Sequence, residues 1–134
     1  MDAKCTFSVA SWEEKPYQQL PGNRKLTEAT VVFDLKGGIE GKAAMKYLMA
    51  YTQVDDKDPH KSVASYVGLM RIEGSLGGKK GSFVLEDRGV FKGMAQSELR
   101  IVAGSGTDDL AGISGSGEYG ATQHGATLEL HYTL

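Results

Sequence analysis

The chain has 134 residues, with 15 Lys and Arg against 17 Asp and Glu, a formal net charge of −2, 18 glycines, three prolines and one cysteine. This length suits one domain, residues 1–134, and the near-neutral charge argues against nucleic-acid binding, which depends mainly on a basic surface. The glycines follow no three-residue period, which excludes collagen and favours many tight turns.

The N-terminal residues and the hydropathy of the chain indicate where in the cell the protein is expected. Residues 1–6 contain no apolar signal-peptide core, and no segment approaches the roughly 18 consecutive apolar residues of a membrane span. Cys5 is the single cysteine and cannot form an internal disulfide, which fits a reducing compartment. We therefore expect a cytoplasmic protein with no membrane partner and no nucleic-acid partner.

Clusters of Gly, Pro, Asn and Asp divide the chain into eight segments. The clusters fall at residues 21–23, 37–38, 55–59, 74–78, 92–93, 104–117 and 120–125. Several segments alternate apolar and polar residues, as residues 83–88 and 128–133 do, and this alternation predicts strands.

Two stretches have helix-like features. Residues 43–50 are rich in Ala, Met, Lys and Leu, which favour helices, but Gly41 precedes them and their neighbours are strands, so we predict a strand. Residues 108–112 predict one helical turn, with Thr107 as N-cap and Gly112 as its end.

Eight sequential antiparallel strands leave two exposed sheet edges unless the first and last strands pair. Closure removes those edges, so we predict an all-β, eight-stranded antiparallel barrel. Such a barrel has an interior filled by side chains or by one small ligand. A two-layer sandwich is the alternative architecture.

The nucleotide-like and metal-like motifs are incomplete. Residues 115–120 match GxGxxG, but too little chain follows for a helix and a ribose-binding acid. The acidic loop of residues 55–60 lacks the central Gly and the final Glu of a calcium loop. A spacing of seven residues would put His124 and His131 on opposite faces of one strand, and His124 is expected in a turn. The two should therefore not share a metal. We expect no metal and no cofactor.

Aromatic, Met and carboxylate side chains share strand faces. Trp12 lies on the same face as Glu14, because side chains alternate along a strand. The same period groups Phe83 with Asp87, and it groups Tyr66 with Met70. A carboxylate on an apolar inner face would be desolvated, and its raised pKa would suit a general base or a cation stabiliser. The alternatives are simple core packing and ion pairs with Arg71, Arg88 or Lys15.

Four blocks carry a family resemblance when taken together. They are residues 11–14, 66–68, 74–85 and 104–112. They resemble the small bacterial domains of unknown function whose barrel is similar to that of allene oxide cyclase, and the resemblance runs from about Ser8 to Leu134. It implies an antiparallel barrel, often oligomeric, whose lumen admits a small apolar molecule. Glu86 and Asp87 stand where the family pattern usually has an amide and an imidazole.

These observations support a hypothesis of a small-molecule-binding barrel, with cofactor-free isomerisation or cyclisation as its chemistry. The candidate ligand-binding residues are Trp12, Tyr66, Met70, Phe83 and Glu86, and the candidate catalytic residues are Glu14 and Asp87. The alternative is a non-catalytic binder or a structural oligomer whose lumen is filled. A pocket of about 300 Å³ or more favours the first hypothesis.

Self-association is expected as well, because apolar residues occur on both faces of several strands. A regular period of two places Phe7 and Val9 on one face of the first strand and Ala10 and Trp12 on the other. One face can line the lumen while the other covers a second copy.

Overall fold

The computed structural model describes residues 1–122 and 125–134, so the predicted turn at His124 lies outside the described residues. Within these ranges the chain forms eight strands and three single 3-10 turns. The strands are β1 (Asp2–Gln19), β2 (Lys25–Gly37), β3 (Ile39–Gln53), β4 (Val63–Leu76), β5 (Lys79–Lys92), β6 (Ala95–Ile101), β7 (Ser114–Thr122) and β8 (Gly125–Thr133). The 3-10 turns are Pro21–Asn23, Pro59–Lys61 and Asp108–Leu110. The predicted all-β class with eight antiparallel strands is confirmed, and no helix of the described residues is long and apolar enough to cross a membrane.

The ambiguous stretch at residues 43–50 is a strand, as predicted. Ala43, Met45, Tyr47 and Met49 are buried, while the residues between them are more exposed. Pairing with β2 on one side and β4 on the other stabilises the extended form. Tertiary context therefore overrides the local helix propensity.

The predicted helical turn is present as Asp108–Leu110, but Thr107 does not cap it with its side chain. The Thr107 hydroxyl instead accepts a hydrogen bond from the Ser82 backbone N–H at 3.0 Å. Thr107 therefore occupies the predicted N-cap position, but its hydroxyl joins the loop to β5 and does not cap the turn.

The sheet closes on itself. Each strand pairs antiparallel with the next one, and residues 2–6 of β1 pair with residues 127–131 of β8. A single closed ring results, so the chain does not form the two separate sheets of a sandwich.

The two ends of the ring differ. At one end, the Gly77 N–H donates to the Gly38 carbonyl at 3.0 Å, and Ile39, Leu76 and Leu110 are buried. At the other end, β1 continues to Gln19, but within the described residues it pairs with β8 only as far as Thr6. The first end is filled by side chains, and the second end is open beside β1.

A bulge changes the face pattern of β1. The register with β2 shifts between Val9 and Ser11, so Val9 opposes Phe33 and Trp12 opposes Val31. Phe33 and Val31 are both buried on the inner face. Val9 and Trp12 therefore share the inner face, and the prediction that they lie on opposite faces is wrong because one extra residue resets the alternation.

Candidate functional site

A cavity of about 340 Å³ lies at the open end of the ring. Its lining residues are Phe7, Ser8, Val9, Trp12, Phe33, Tyr47, Met49, Tyr66, Phe91, Ala95, Tyr119, Ala121, Gly125 and Ala126. The volume falls within the range of ligand pockets in proteins. This end of the interior is therefore not filled by its own side chains.

Small residues on the short strands create this space. Ala95, Ala121 and Ala126 come from β6, β7 and β8, whereas Phe7 and Trp12 come from β1, the neighbour of β8 in the ring. Methyl groups line one part of the cavity and large aromatic side chains line another. The cavity therefore follows from residue size at the open end.

Three buried tyrosines contribute to the lining from three different strands. Tyr47 of β3 hydrogen-bonds through its hydroxyl to the hydroxyl of Tyr119 of β7. The Tyr119 hydroxyl also approaches that of Tyr66 of β4 at 3.4 Å. The rings of Tyr47 and Tyr66 meet edge to face with centroids 5.0 Å apart. The cavity thus combines apolar surface with a cluster of linked hydroxyl groups.

Asp87 lies against this cluster and is only 2% exposed. The Tyr47 hydroxyl donates to its Oδ2 at 3.2 Å. Its Oδ1 is buried without a hydrogen-bond partner in the part of the chain that the structure describes. Burial raises the pKa of Asp87 to about 6, against the opposing effect of the Ser97, Tyr119 and Tyr47 hydroxyls.

A glycine makes room for the hydroxyl groups. Gly89 of β5 pairs with both Tyr66 and Ser97, whose hydroxyl oxygens are 2.6 Å apart. A Cβ at position 89 would lie 2.5 Å from the Tyr66 hydroxyl and 2.6 Å from the Ser97 hydroxyl. Glycine inside a strand is typical of such close approach.

Glu14 occupies a different environment, at the mouth of the cavity. Its Oε1 accepts from the Trp12 indole N–H at 3.1 Å. Its Oε2 accepts from Thr27 and Tyr51, each at 2.7 Å. Trp12 also stacks on Tyr47, with centroids 6.3 Å apart. The Glu14 carboxylate therefore holds the indole that forms part of the cavity wall.

The structure separates the predicted site residues. Trp12 and Tyr66 line the cavity, with Glu14 at its mouth and Asp87 behind its tyrosines. Met70 and Phe83 are buried at 2% and 1% exposure but do not line it. Met70 lies four residues along β4 from Tyr66, roughly 13 Å closer to the filled end.

Glu86 lies on the outer face, because it alternates with the inward Asp87, and it is exposed. Glu86, a candidate ligand-binding residue in the sequence, is therefore not among the residues that line this cavity. The alternative was an ion pair between Arg71 and an inner carboxylate. In the described structure Arg71 instead pairs with Glu73, at 2.5 Å. Arg88 is exposed on the outer face as well.

The sequence interpretation missed Tyr47, Tyr119 and Ser97 as site residues. Tyr119 fell inside the GxGxxG stretch, and Ser97 carries no local signal of its own. Pairing of Ser97 with both Gly89 and Tyr119 brings these groups together. The strand glycines at positions 68 and 89 were the available signs of close approach.

Comparisons with known proteins agree on the fold. A family model described as "Protein of unknown function (DUF3224)" matches residues 3–134. A crystal structure of a protein with unknown function from the DUF3224 family of Shewanella oneidensis MR-1 is similar at a TM-score of 0.82 and 24% identity. The match covers 100% of this chain and 97% of that chain. At this identity the likeness shows the fold alone. A search of the curated proteins found no match.

The buried carboxylate gives a prediction about stability. Folding raises the pKa of Asp87 from 3.8 to about 6. Between these two pH values the unfolded chain therefore holds fewer protons than the folded protein. Relative to Asp87→Asn, the free energy of unfolding of the wild type should fall by roughly 2–3 kcal/mol as pH rises from about 4 to about 6. Urea unfolding of both proteins across this range measures the difference. A difference that stays constant with pH would contradict the raised pKa.

Proposed function

The chain belongs to the DUF3224 family of proteins of unknown function, and from this premise we propose that it binds a small, largely apolar molecule at the open end of its ring. The observation that carries the proposal is the cavity of about 340 Å³, whose wall is mainly apolar. Pockets of this kind gain affinity from apolar burial and orientation from a few polar groups. The linked hydroxyls of Tyr47, Tyr66 and Tyr119 are the polar groups available here.

The finer architecture is part of the proposal. We propose that the closed ring is a barrel of the allene oxide cyclase-like class. Antiparallel pairing of all neighbours, including β1 with β8, supports it. A cytoplasmic location is likewise proposed, and the buried free thiol of Cys5 is compatible with it.

Trp12 provides the test of binding. It is the one tryptophan of the chain, it lines the cavity and it is 45% exposed. Apolar aromatic probes such as naphthalene derivatives should change its fluorescence in a saturable way and should compete with one another. Emission that stays unchanged over a broad set of probes would overturn the proposal.

Two variants control this measurement. Ala95→Leu adds bulk to the cavity wall and should weaken probe binding by about tenfold or more, because the added atoms occupy ligand space. Gln96→Leu places the same side chain on the next residue, which is exposed, and should leave binding unchanged. Equal effects of the two variants would argue against binding in the cavity.

Cofactor-free isomerisation or cyclisation is the second candidate function. The hydrogen bonds from Tyr119 through Tyr47 to Asp87 favour it, because they connect the cavity to a buried carboxylate. A bound enol would release its O–H proton to the Tyr119 oxygen. The Tyr119 proton would pass to Tyr47 and the Tyr47 proton to Asp87. The electron pair left on oxygen forms the carbonyl, while the carbon gains a proton from solvent.

Conversion of an apolar enol to its ketone tests this chemistry. The ultraviolet absorbance of the enol should decay faster with the wild type than with Asp87→Asn, by about a hundredfold for a general base. Equal decay with both proteins, at matched probe occupancy, would exclude a role for Asp87 as base.

We also propose that the protein self-associates through the outer face of β3 to β5. This face exposes Leu48, Val67, Leu69 and Val90 by 50%, 49%, 56% and 46%. Leu48 and Val67 stand opposite each other in the register, so the apolar surface continues across strands. Contiguous apolar surface of this kind marks interaction sites more often than scattered residues do.

Light scattering at micromolar concentration should give a mass of at least a dimer. The double variant Leu48→Lys with Val67→Lys should shift the mass to that of a monomer, because each lysine would have to be desolvated at the interface. Thr127→Lys, on exposed β8 surface, is the control and should keep the wild-type mass. A monomeric wild type would contradict self-association.

A further inference from the structure

We propose that the cavity selects an apolar molecule carrying one hydrogen-bond donor, a phenol or an alcohol, and that the Tyr119 hydroxyl oxygen accepts this donor. The inference rests on the proposed binding function and adds the polar group of the ligand. It follows from counting the protons of the hydroxyl cluster.

Asp87 is the terminal acceptor of the hydrogen-bonded chain. An ionised carboxylate has no proton and can only accept, whereas a tyrosine hydroxyl has one proton to donate. The bond between Asp87 and Tyr47 therefore uses the Tyr47 proton. Because that proton is spent, the bond between Tyr47 and Tyr119 must use the proton of Tyr119.

The Tyr119 oxygen is then left with lone pairs and no spare proton. Its proton is directed at Tyr47, and in the longer contact of 3.4 Å Tyr119 is again the donor, to the Tyr66 hydroxyl, so neither contact uses a lone pair of Tyr119. Tyr66 is engaged by the Ser97 hydroxyl at 2.6 Å. Tyr119 lines the cavity, so its oxygen is the acceptor that we assign to a ligand.

This polarity discriminates between ligands. A phenol or alcohol can donate to the Tyr119 oxygen, whereas an ether of similar shape brings a second acceptor against it. Leaving buried polar groups unpaired costs more than a hydrogen bond gains, so the ether is rejected. Apolar contacts with the wall are common to both and set the shared part of the affinity.

The other titratable groups near the cavity do not control the direction of these hydrogen bonds. Burial raises the pKa of Tyr47, Tyr66 and Tyr119, so all three keep their protons at neutral pH. The other carboxylate is Glu14 of β1, at the mouth, where it accepts from its own three donors. Asp87 is the charged side chain among the buried residues of the described part of the chain.

Protonation of Asp87 reverses the polarity. Burial raises its pKa to about 6, so at lower pH the carboxyl group has a proton of its own to donate to Tyr47. The Tyr47 proton can then turn towards Tyr119, and the Tyr119 proton becomes available to the cavity. Preference for a donor ligand should therefore be present above about pH 6 and lost below it.

Calorimetric titration with 2-naphthol and 2-methoxynaphthalene tests the inference. These probes share an aromatic body and differ in one methyl group on oxygen. At about pH 7.5 the wild type should bind 2-naphthol about tenfold more tightly. At about pH 5, below the pKa of Asp87, this ratio should fall towards one.

Two tyrosine variants locate the acceptor. Tyr119→Phe removes the hydroxyl and should reduce the ratio at about pH 7.5 at least threefold while the ether still binds. Tyr132→Phe alters another buried tyrosine, outside the cavity lining, and should leave the ratio intact. A ratio that persists in Tyr119→Phe would show that Tyr119 is not the acceptor.

The outcomes separate this inference from the binding proposal. Equal affinity for the two probes at about pH 7.5, or tighter binding of the ether, would overturn the donor preference and leave binding in place. Absence of binding by either probe would overturn the proposed function itself. A ratio that does not change between the two pH values would remove Asp87 from the explanation. Because the pH comparison uses the wild type, it does not depend on the folding of an Asp87 variant.

Discussion

Pairing of β1 with β8 is the constraint on which the rest of the structure depends. Among the residues that the structure describes, it covers residues 2–6 of β1, yet it converts an open sheet into a ring with one inner face. Closure removes the free edges that make open sheets prone to aggregation. Since β1 runs on to Gln19 beyond this pairing, the same constraint leaves the ring open at one end. The filled end provides core, and the open end provides the cavity.

The interior accommodates the Asp87 carboxylate because a neighbouring hydroxyl group donates a hydrogen bond to it. Burying an ionised group is costly unless hydrogen bonds replace water. Tyr47 supplies such a bond to Asp87, and Tyr119 supports Tyr47 in turn. The glycines at positions 68 and 89 flank these side chains in the register, so bulky and small residues alternate around the ring. Room for the hydroxyl cluster is thus created by the absence of side chains on neighbouring strands.

Local sequence pattern predicted the strands and most of the faces, but not the contacts across the ring. The period of two correctly grouped Asp87 with Phe83, and Tyr66 with Met70, and the structure buries both groups. It failed at the bulge in β1, where one extra residue brings Val9 and Trp12 to the same face. It also could not rank inner residues by depth, because depth depends on the register of distant strands. The cluster around Asp87 draws on five strands, β3 to β7, and no segment alone contains its signal.

Two carboxylates were equivalent candidates in the sequence, and the structure gives them different chemical capacities. Glu14 lies at the mouth with both oxygens engaged by donors, so most of its acceptor capacity is used to hold Trp12, Thr27 and Tyr51 in place. Asp87 lies in the interior with one oxygen unpartnered among the described residues and with a pKa raised to about 6 by burial. A carboxyl group whose pKa lies close to neutral pH can change charge under physiological conditions, and a carboxylate that already accepts three hydrogen bonds has little further capacity to accept. The electrostatic character of the cavity is therefore set by Asp87 through Tyr47 and Tyr119, while Glu14 shapes the wall through which a ligand would enter.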